Sequence, residues 1–375
     1  MRAELPEPTV EEQAHSARLL DLIRAEIGAA GGALDFARYM ELALYAPGLG
    51  YYSAGATKFG AAGDFVTAPE LGAVFARCLA RAVAPALRET GGDVLELGPG
   101  SGALASDLLL ELERLDALPR RYRLLERSAD LRDRQRARLM QHCPHLQSRI
   151  EWLEAPPADA WQGVLVANEV IDALPVRLFA LRDDGLFARA VGVADDGRLE
   201  WREIRADAAL SASVDAAIGT AAASLPRPYR SEVRPMLAPW LAGVTRTLVR
   251  GVALFVDYGY ADGAFYAARR RDGTLRCHFR HRAHDDPLLW PGLQDITAWV
   301  DFDALGAAAS ACGLVAEPVV SQAQFLIAHG LADVFAAAQA QAADETARYR
   351  LAQQVKQLTL PGQMGDAFGV AVLRR

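Results

Sequence analysis

Residues 93–102, Asp-Val-Leu-Glu-Leu-Gly-Pro-Gly-Ser-Gly, constrain this chain more than any other stretch. Val94, Leu95 and Leu97 read as a buried strand. Gly98, Gly100 and Gly102 permit a tight turn with close approach of a ligand, and Ala103 to Leu115 read as a helix. This is the outline of a nucleotide-binding turn, although an ordinary strand-to-helix turn shares it. A turn that seats a pyrophosphate on the helix N-terminus spaces its glycines Gly-x-Gly-x-x-Gly. Here the spacing is Gly-x-Gly-x-Gly, with Glu96 just before it. An acidic side chain repels phosphate but tolerates a cationic amino acid end, so S-adenosylmethionine fits this turn better than a dinucleotide.

A second strand supports the reading. Arg121 to Leu125 end at Glu126, where the acidic residue of a Rossmann-like fold meets the ribose diol. A carboxylate there accepts two charge-assisted hydrogen bonds. The plain alternative is a solvated residue at a strand end.

The 375 residues suit one large α/β unit with insertions, or two domains. No apolar run approaches the length of a membrane span, and the acidic start (Glu4, Glu7, Glu11, Glu12) resembles neither a signal nor a transit peptide, so a cytoplasmic location is expected. A net charge of -7 argues against a nucleic-acid partner and makes a basic protein surface a natural one. Cys78, Cys143, Cys277 and Cys312 form no Cys-x-x-Cys pair, so neither disulfides nor a thiolate zinc site is expected. Cys277, His278, His281 and His284 lie close together, but Arg276, Arg280 and Arg282 among them would repel a cation; no metal is expected.

Residues 9–30 and 34–45 read as amphipathic helices, followed by a glycine-rich loop over 53–66. Thr67 and Glu70 have capping-box spacing, which predicts a helix running to about Pro85. Strands near 93–97, 121–126, 149–153, 163–168 and 252–257 alternate with helices, as in a parallel sheet covered on both faces. Residues 176–204 read as antiparallel hairpins, and 207–224 and 231–248 as helices. The last elements expected are a helix near 301–312, a strand near 314–320, helices near 330–357 and a strand near 368–373. The division expected is N-terminal helices with a covering loop (1–66), a core (67–175 and 252–375) and an inserted cap (176–251).

The fourth core strand ends in Asn168-Glu169, followed by Asp172-Ala173-Leu174-Pro175, and the fifth in Asp257-Tyr258-Gly259. Ligands of open α/β sheets bind outside the carboxyl ends of the strands, so Asn168, Glu169, Asp172 and Asp257 are expected to face the cleft. Their plain alternative is a helix cap and solvated carboxylates.

These segments, with Gly63-Asp64-Phe65-Val66-Thr67-Ala68-Pro69-Glu70, His281 and His284 followed by Pro291-Gly292, Asp295-Ile296-Thr297 and Val300-Asp301-Phe302, resemble the MidA-like methyltransferases over about residues 35–373. The resemblance implies a class I, Rossmann-like α/β fold whose mostly parallel sheet ends in an antiparallel strand. It implies S-adenosylmethionine as cofactor and symmetric dimethylation of a protein arginine, as in the mitochondrial members that act on a core subunit of respiratory complex I. Glu96, Gly98, Gly100 and Gly102 would hold the methionine part, Glu126 the ribose, and Trp152 and Leu153 the adenine. Asp64, Phe65, Thr67 and Pro69 would close over the cofactor. Asn168, Glu169 and Asp172 would orient the acceptor, with Asp257 or His281 taking its proton. A homodimer is left open. Two other readings share parts of the pattern: a complex I assembly factor that binds the cofactor without catalysis and, more distantly, a nicotinamide-dependent oxidoreductase.

Overall fold

The structure, a computed structural model, describes residues 5–54 and 67–375. Asp64 and Phe65 lie outside the described residues. Helix α1 (Val10–Ala29) starts at a capping box in which Thr9 and Glu12 exchange side-chain to backbone hydrogen bonds of 2.7 and 3.3 Å. Its Leu19, Ile23 and Ile27 recur every four residues and are buried. A two-residue strand β1 (Leu34–Asp35) then leads into α2 (Phe36–Tyr45), which Asp35 caps through the Ala37 N–H at 2.9 Å.

The capping box expected at Thr67 does not form. The Thr67 side chain makes no cap bond, and Glu70 accepts from the Ser101 hydroxyl instead. Helix α3 (Ala68–Leu71) stops at Gly72, whose φ of 137° belongs to glycine. A new helix, α4 (Ala73–Thr90), then runs through Pro85, flanked by buried Val83, Ala84 and Leu87, whose packing outweighs one missing backbone bond.

The core follows: β2 (Asp93–Leu97), α5 (Ala103–Arg114), β3 (Tyr122–Leu125), α6 (Ala129–His142), β4 (Ile150–Leu153) and β5 (Trp161–Asn168). An inserted antiparallel unit follows, β6 (Arg177–Arg182), β7 (Gly185–Val193), β8 (Leu199–Arg205), α7 (Ala208–Ile218) and β9 (Tyr229–Val233), before α8 (Leu237–Thr245) packs back on the main sheet, although the sequence places it in the cap. Residues 229–233, expected to be partly helical, are a strand because they pair with β6 and bury Tyr229, Ser231, Glu232 and Val233. The chain returns to the core in β10 (Leu248–Tyr260) and then forms a small sheet not foreseen from the sequence, β11 (Arg276–Phe279), β12 (Arg282–His284) and β13 (Asp295–Thr297). After β14 (Val300–Asp301), α9 (Phe302–Ala311), β15 (Val315–Ala316) and β16 (Val320–Ser321) come helices α10 (Gln322–Ala328), α11 (Leu331–Gln341), α12 (Glu345–Thr359) and α13 (Met364–Ala367), and finally β17 (Phe368–Arg374).

The main sheet runs β15-β17-β10-β5-β2-β3-β4. Strands β10, β5, β2, β3 and β4 are mutually parallel, and β17 is antiparallel to β10. Alternation along each strand explains why both faces are covered. Val94, Val164, Val166, Leu254 and Val256 enter a core with α4 and α5, while Leu95, Leu165, Ala167, Ala253 and Phe255 enter a second core with α8 and α9. Strand β1 pairs with β7, so the N-terminal helices and the inserted unit share one antiparallel sheet. Among the described residues, no helix is long and apolar enough to cross a membrane.

Candidate functional site

A cleft of about 1270 Å³ opens at the carboxyl ends of β2, β3, β5 and β10. The chain moves outward from β2 to β3 and β4 in one direction and to β5 and β10 in the other, so the cleft lies where the strand order reverses.

One end of the cleft is built from the glycine turn and β3. Gly98, Pro99 and Gly100 line it, with φ of 59° at Gly98 and 53° at Gly100. Gly102 takes the left-handed N-cap of α5 behind this wall. Glu96 reaches the cleft from a buried strand position, and its carboxylate accepts the Tyr122 hydroxyl proton at 2.7 Å. Burial pushes the Glu96 carboxyl up to about 7, although the Tyr122 bond opposes the shift. At Glu126, one oxygen accepts the Ser128 N–H at 2.8 Å and the other the Gln135 amide at 3.3 Å. Each carboxylate oxygen has two lone pairs, so acceptor capacity remains for a diol. Thr67 and Pro69 also line the cleft, and the backbone N–H of Ala68 between them donates to the Glu169 carboxylate. Backbone without side chains at Gly98 and Gly100, beside the fixed carboxylate of Glu126 just after β3, fits S-adenosylmethionine.

The other end is acidic and aromatic. Glu169, at φ 52°, sits just after β5, and Asn168 donates to it at 2.9 Å. Burial, then the charge of Asp172, push the Glu169 carboxyl up to about 8. Asp172 accepts the Ala173 N–H at 2.8 Å on one oxygen and the Tyr258 hydroxyl on the other. Burial also raises the Asp172 carboxyl, against the Tyr258 bond and the nearby Arg234 charge. From β13 comes buried Asp295, which accepts the Tyr52 hydroxyl at 2.9 Å. Tyr258 and Trp299, edge to face with centroids 5.9 Å apart, line the wall between them, with His278 of β11 and Thr297 of β13 nearby. Eight carboxylate side chains but only two guanidinium groups, Arg127 and Arg276, line the described cleft, so it favours cations over anions.

Four expected contacts are placed differently. Trp152 and Leu153 do not line the cleft. The Trp152 indole donates to Gln135 at 2.9 Å, and the Arg136 guanidinium covers its ring at 4.9 Å. Asp257 is fully enclosed behind the turn after β5, where it accepts the N–H groups of Ile171, Asp172 and Tyr258 at 3.0, 3.2 and 2.9 Å. It holds that turn rather than facing the cleft. His281 is exposed at the β11–β12 turn with φ 60°, away from the cleft lining. His278, on the face that the strand pleat turns inward, lines the cleft in its place.

Other residues that shape the site gave little signal. Gln135 lies in an arginine-rich helix and looks solvated in the sequence, yet it is fully buried and also donates to the Gly100 carbonyl at 2.9 Å. Asp295 belongs to a recognisable segment, but nothing local marks it as a cleft residue.

Residues 78–320 match the family model for S-adenosyl-L-methionine-dependent methyltransferases. A solved Burkholderia thailandensis structure bound to S-adenosyl-homocysteine is 41% identical, with a TM-score of 0.93 over 99% of this chain and 95% of that one. The Caenorhabditis elegans "Protein arginine methyltransferase NDUFAF7 homolog, mitochondrial" is 30% identical over 316 residues, covering 76% of this chain and 70% of that protein. The protein of the same name from Drosophila melanogaster is 29% identical over 342 residues, covering 80% and 71%. Both relatives are mitochondrial by name, which overturns the cytoplasmic expectation drawn from the acidic N-terminal residues. Compartment is read by import machinery and leaves no mark on the packed core. The central-sheet topology, the cleft at its switch point and the family match agree: this chain belongs to the S-adenosyl-L-methionine-dependent methyltransferases.

Proposed function

We propose that the acceptor of the methyl group is an arginine side chain of a protein. The observation that carries this reading is the acidic end of the cleft, where Glu169, Asp172 and Asp295 meet beside Tyr258 and Trp299. A guanidinium is planar, cationic and able to donate five hydrogen bonds, and such a pit offers carboxylate oxygens and aromatic faces. The names of the C. elegans and D. melanogaster relatives support the same acceptor.

When bound, S-adenosylmethionine supplies an electrophilic methyl group on a sulfonium that leaves as a neutral thioether. The glycine turn and Glu126 would hold the cofactor. Asp172, with donors on both oxygens, stays fixed and grips the guanidinium. A guanidinium nitrogen forms the new bond to carbon as the bond to sulfur breaks, and the product must then shed one proton to keep a single charge. Glu169, whose carboxyl burial and the Asp172 charge push up to about 8, accepts that proton in its ionised form, which the positive charge of a bound guanidinium favours. In-line placement supplies most of the acceleration.

The resemblance to the MidA-like family extends the proposal to symmetric dimethylation on a core subunit of respiratory complex I. Incubation with labelled S-adenosylmethionine and that subunit, followed by mass spectrometry, tests both levels. Methylarginine is the expected product; label on lysine or on a carboxyl group overturns the arginine acceptor.

A further inference from the structure

Arg234 follows β9 in the inserted unit, and its guanidinium donates to four backbone carbonyls. Nε reaches Leu174 at 3.3 Å, Nη1 reaches Trp299 at 3.2 Å, and Nη2 reaches Ala298 at 2.7 Å and Asp172 at 3.4 Å. Two of these carbonyls belong to the turn after β5, which carries Glu169 and Asp172. The other two directly follow β13, which carries Asp295 and Thr297. The Ala298 N–H crosses the same junction to the Asp172 carbonyl at 3.0 Å.

We propose that Arg234 is a positioning residue for methyl transfer, fixing the turn after β5 against the end of β13 so that Asp172, Glu169 and Asp295 form one rigid pit for the acceptor. The inference rests on the reading that these carboxylates hold the acceptor. It gives the inserted unit a part in the chemistry that its place in the fold does not announce. Only a planar fork can serve two carbonyls on each side of the junction. A lysine ammonium has three donors at a single point and cannot span it. The positive charge also opposes the rise of the Asp172 and Asp257 carboxyls caused by burial, so the same group that sets the geometry helps keep Asp172 ionised. With Arg234 removed, the Leu174, Ala298 and Trp299 carbonyls lose this donor while the Asp172 carbonyl keeps the Ala298 N–H, so fewer bonds hold the two segments and they can move apart. A displacement of about 1 Å between catalytic groups lowers a rate by about a hundredfold.

The test compares the full-length protein with Arg234→Met and Arg234→Lys. Three quantities are measured: S-adenosylhomocysteine affinity by calorimetry, kcat and KM for methyl transfer to the complex I subunit, and hydrogen exchange of peptides spanning 168–175 and 295–300, with 98–102 as control. Affinity for S-adenosylhomocysteine is expected to stay within about twofold, kcat to fall by about a hundredfold in Arg234→Met and less in Arg234→Lys, and exchange to accelerate at both segments but not in the control. If Arg234→Met does not fold, Arg234→Lys carries the comparison. Unchanged exchange at the two segments overturns the proposal, as does faster exchange with parental kcat. Absence of arginine methylation by the parent protein overturns the acceptor reading instead, and the exchange data then decide separately whether Arg234 joins the two segments.

Discussion

The indole N–H of Trp152 donates to the side-chain oxygen of Gln135 at 2.9 Å, which fixes which way the Gln135 amide faces. Its NH₂ group then turns toward the Gly100 carbonyl and the Glu126 carboxylate, joining two parts of the cofactor end. Gln135→Ala is expected to weaken S-adenosylhomocysteine binding by about 1 to 3 kcal/mol, since it frees both the glycine turn and Glu126. Calorimetry at constant salt checks this. Unchanged affinity would show that the turn and Glu126 hold their positions without Gln135.

Gly98 adopts φ 59°, and a Cβ added there would meet Val170 Cγ2 at 3.1 Å. Gly98→Val therefore meets both an unfavourable backbone conformation and a crowded wall beside the ligand. The expected result is loss of cofactor binding with a far-ultraviolet circular dichroism spectrum like that of the parent. A variant that still binds S-adenosylhomocysteine at parental affinity would place the ligand away from this turn.

Glu169 and Asp172 follow β5 whereas Glu126 follows β3, with β2 between the two strands, so their conservative variants separate acceptor contacts from ribose contacts. Glu169→Gln and Asp172→Asn are expected to keep cofactor affinity within about threefold and to lower single-turnover methylation by about a hundredfold or more. Both measurements are made on the same protein preparations. Parental transfer rates in both variants would make these carboxylates bystanders.

Burial raises the carboxyls of Glu169 and Glu96, to about 8 and about 7, from values near 4.5. Between the lower and upper values the folded chain holds protons that the unfolded chain has released. The stability associated with these groups is therefore complete below about pH 4.5 and is lost as pH rises toward about 7 to 8. Melting temperature should fall from about pH 5 to about pH 8, and fall less in Glu96→Gln, whose amide oxygen still accepts from Tyr122. Parallel curves for parent and variant would show that Glu96 keeps its ordinary carboxyl value in the folded protein.

The legible parts of this protein were those written in consecutive residues. Strand β2, the glycine turn and α5 occupy one continuous segment, and alternating apolar residues set both faces of β5 and β10. The acidic end of the cleft is different, because Glu169 on one turn, Asp295 on β13, Tyr52 after α2 and Arg234 after β9 meet only in the folded chain. Asp257 shows the limit of reading a strand end as a site. A carboxylate there either faces the ligand or holds the next turn, and only the three N–H groups around Asp257 identify the second case. Trp152 is hidden from the sequence for a similar reason, since the pleat decides which face a strand residue takes and here its indole donates to Gln135.

The pairing of Leu34 with Val191 also sets an order of events during synthesis. The ribosome must add about 150 more residues, roughly eight to thirty seconds of elongation, before β1 meets its partner strand. Helices α1 and α2 are thus made early and completed late. Their buried faces await β7 and, later still, Cys277, Ile296 and Ala298, which share their core, while β2 to β5 are already made.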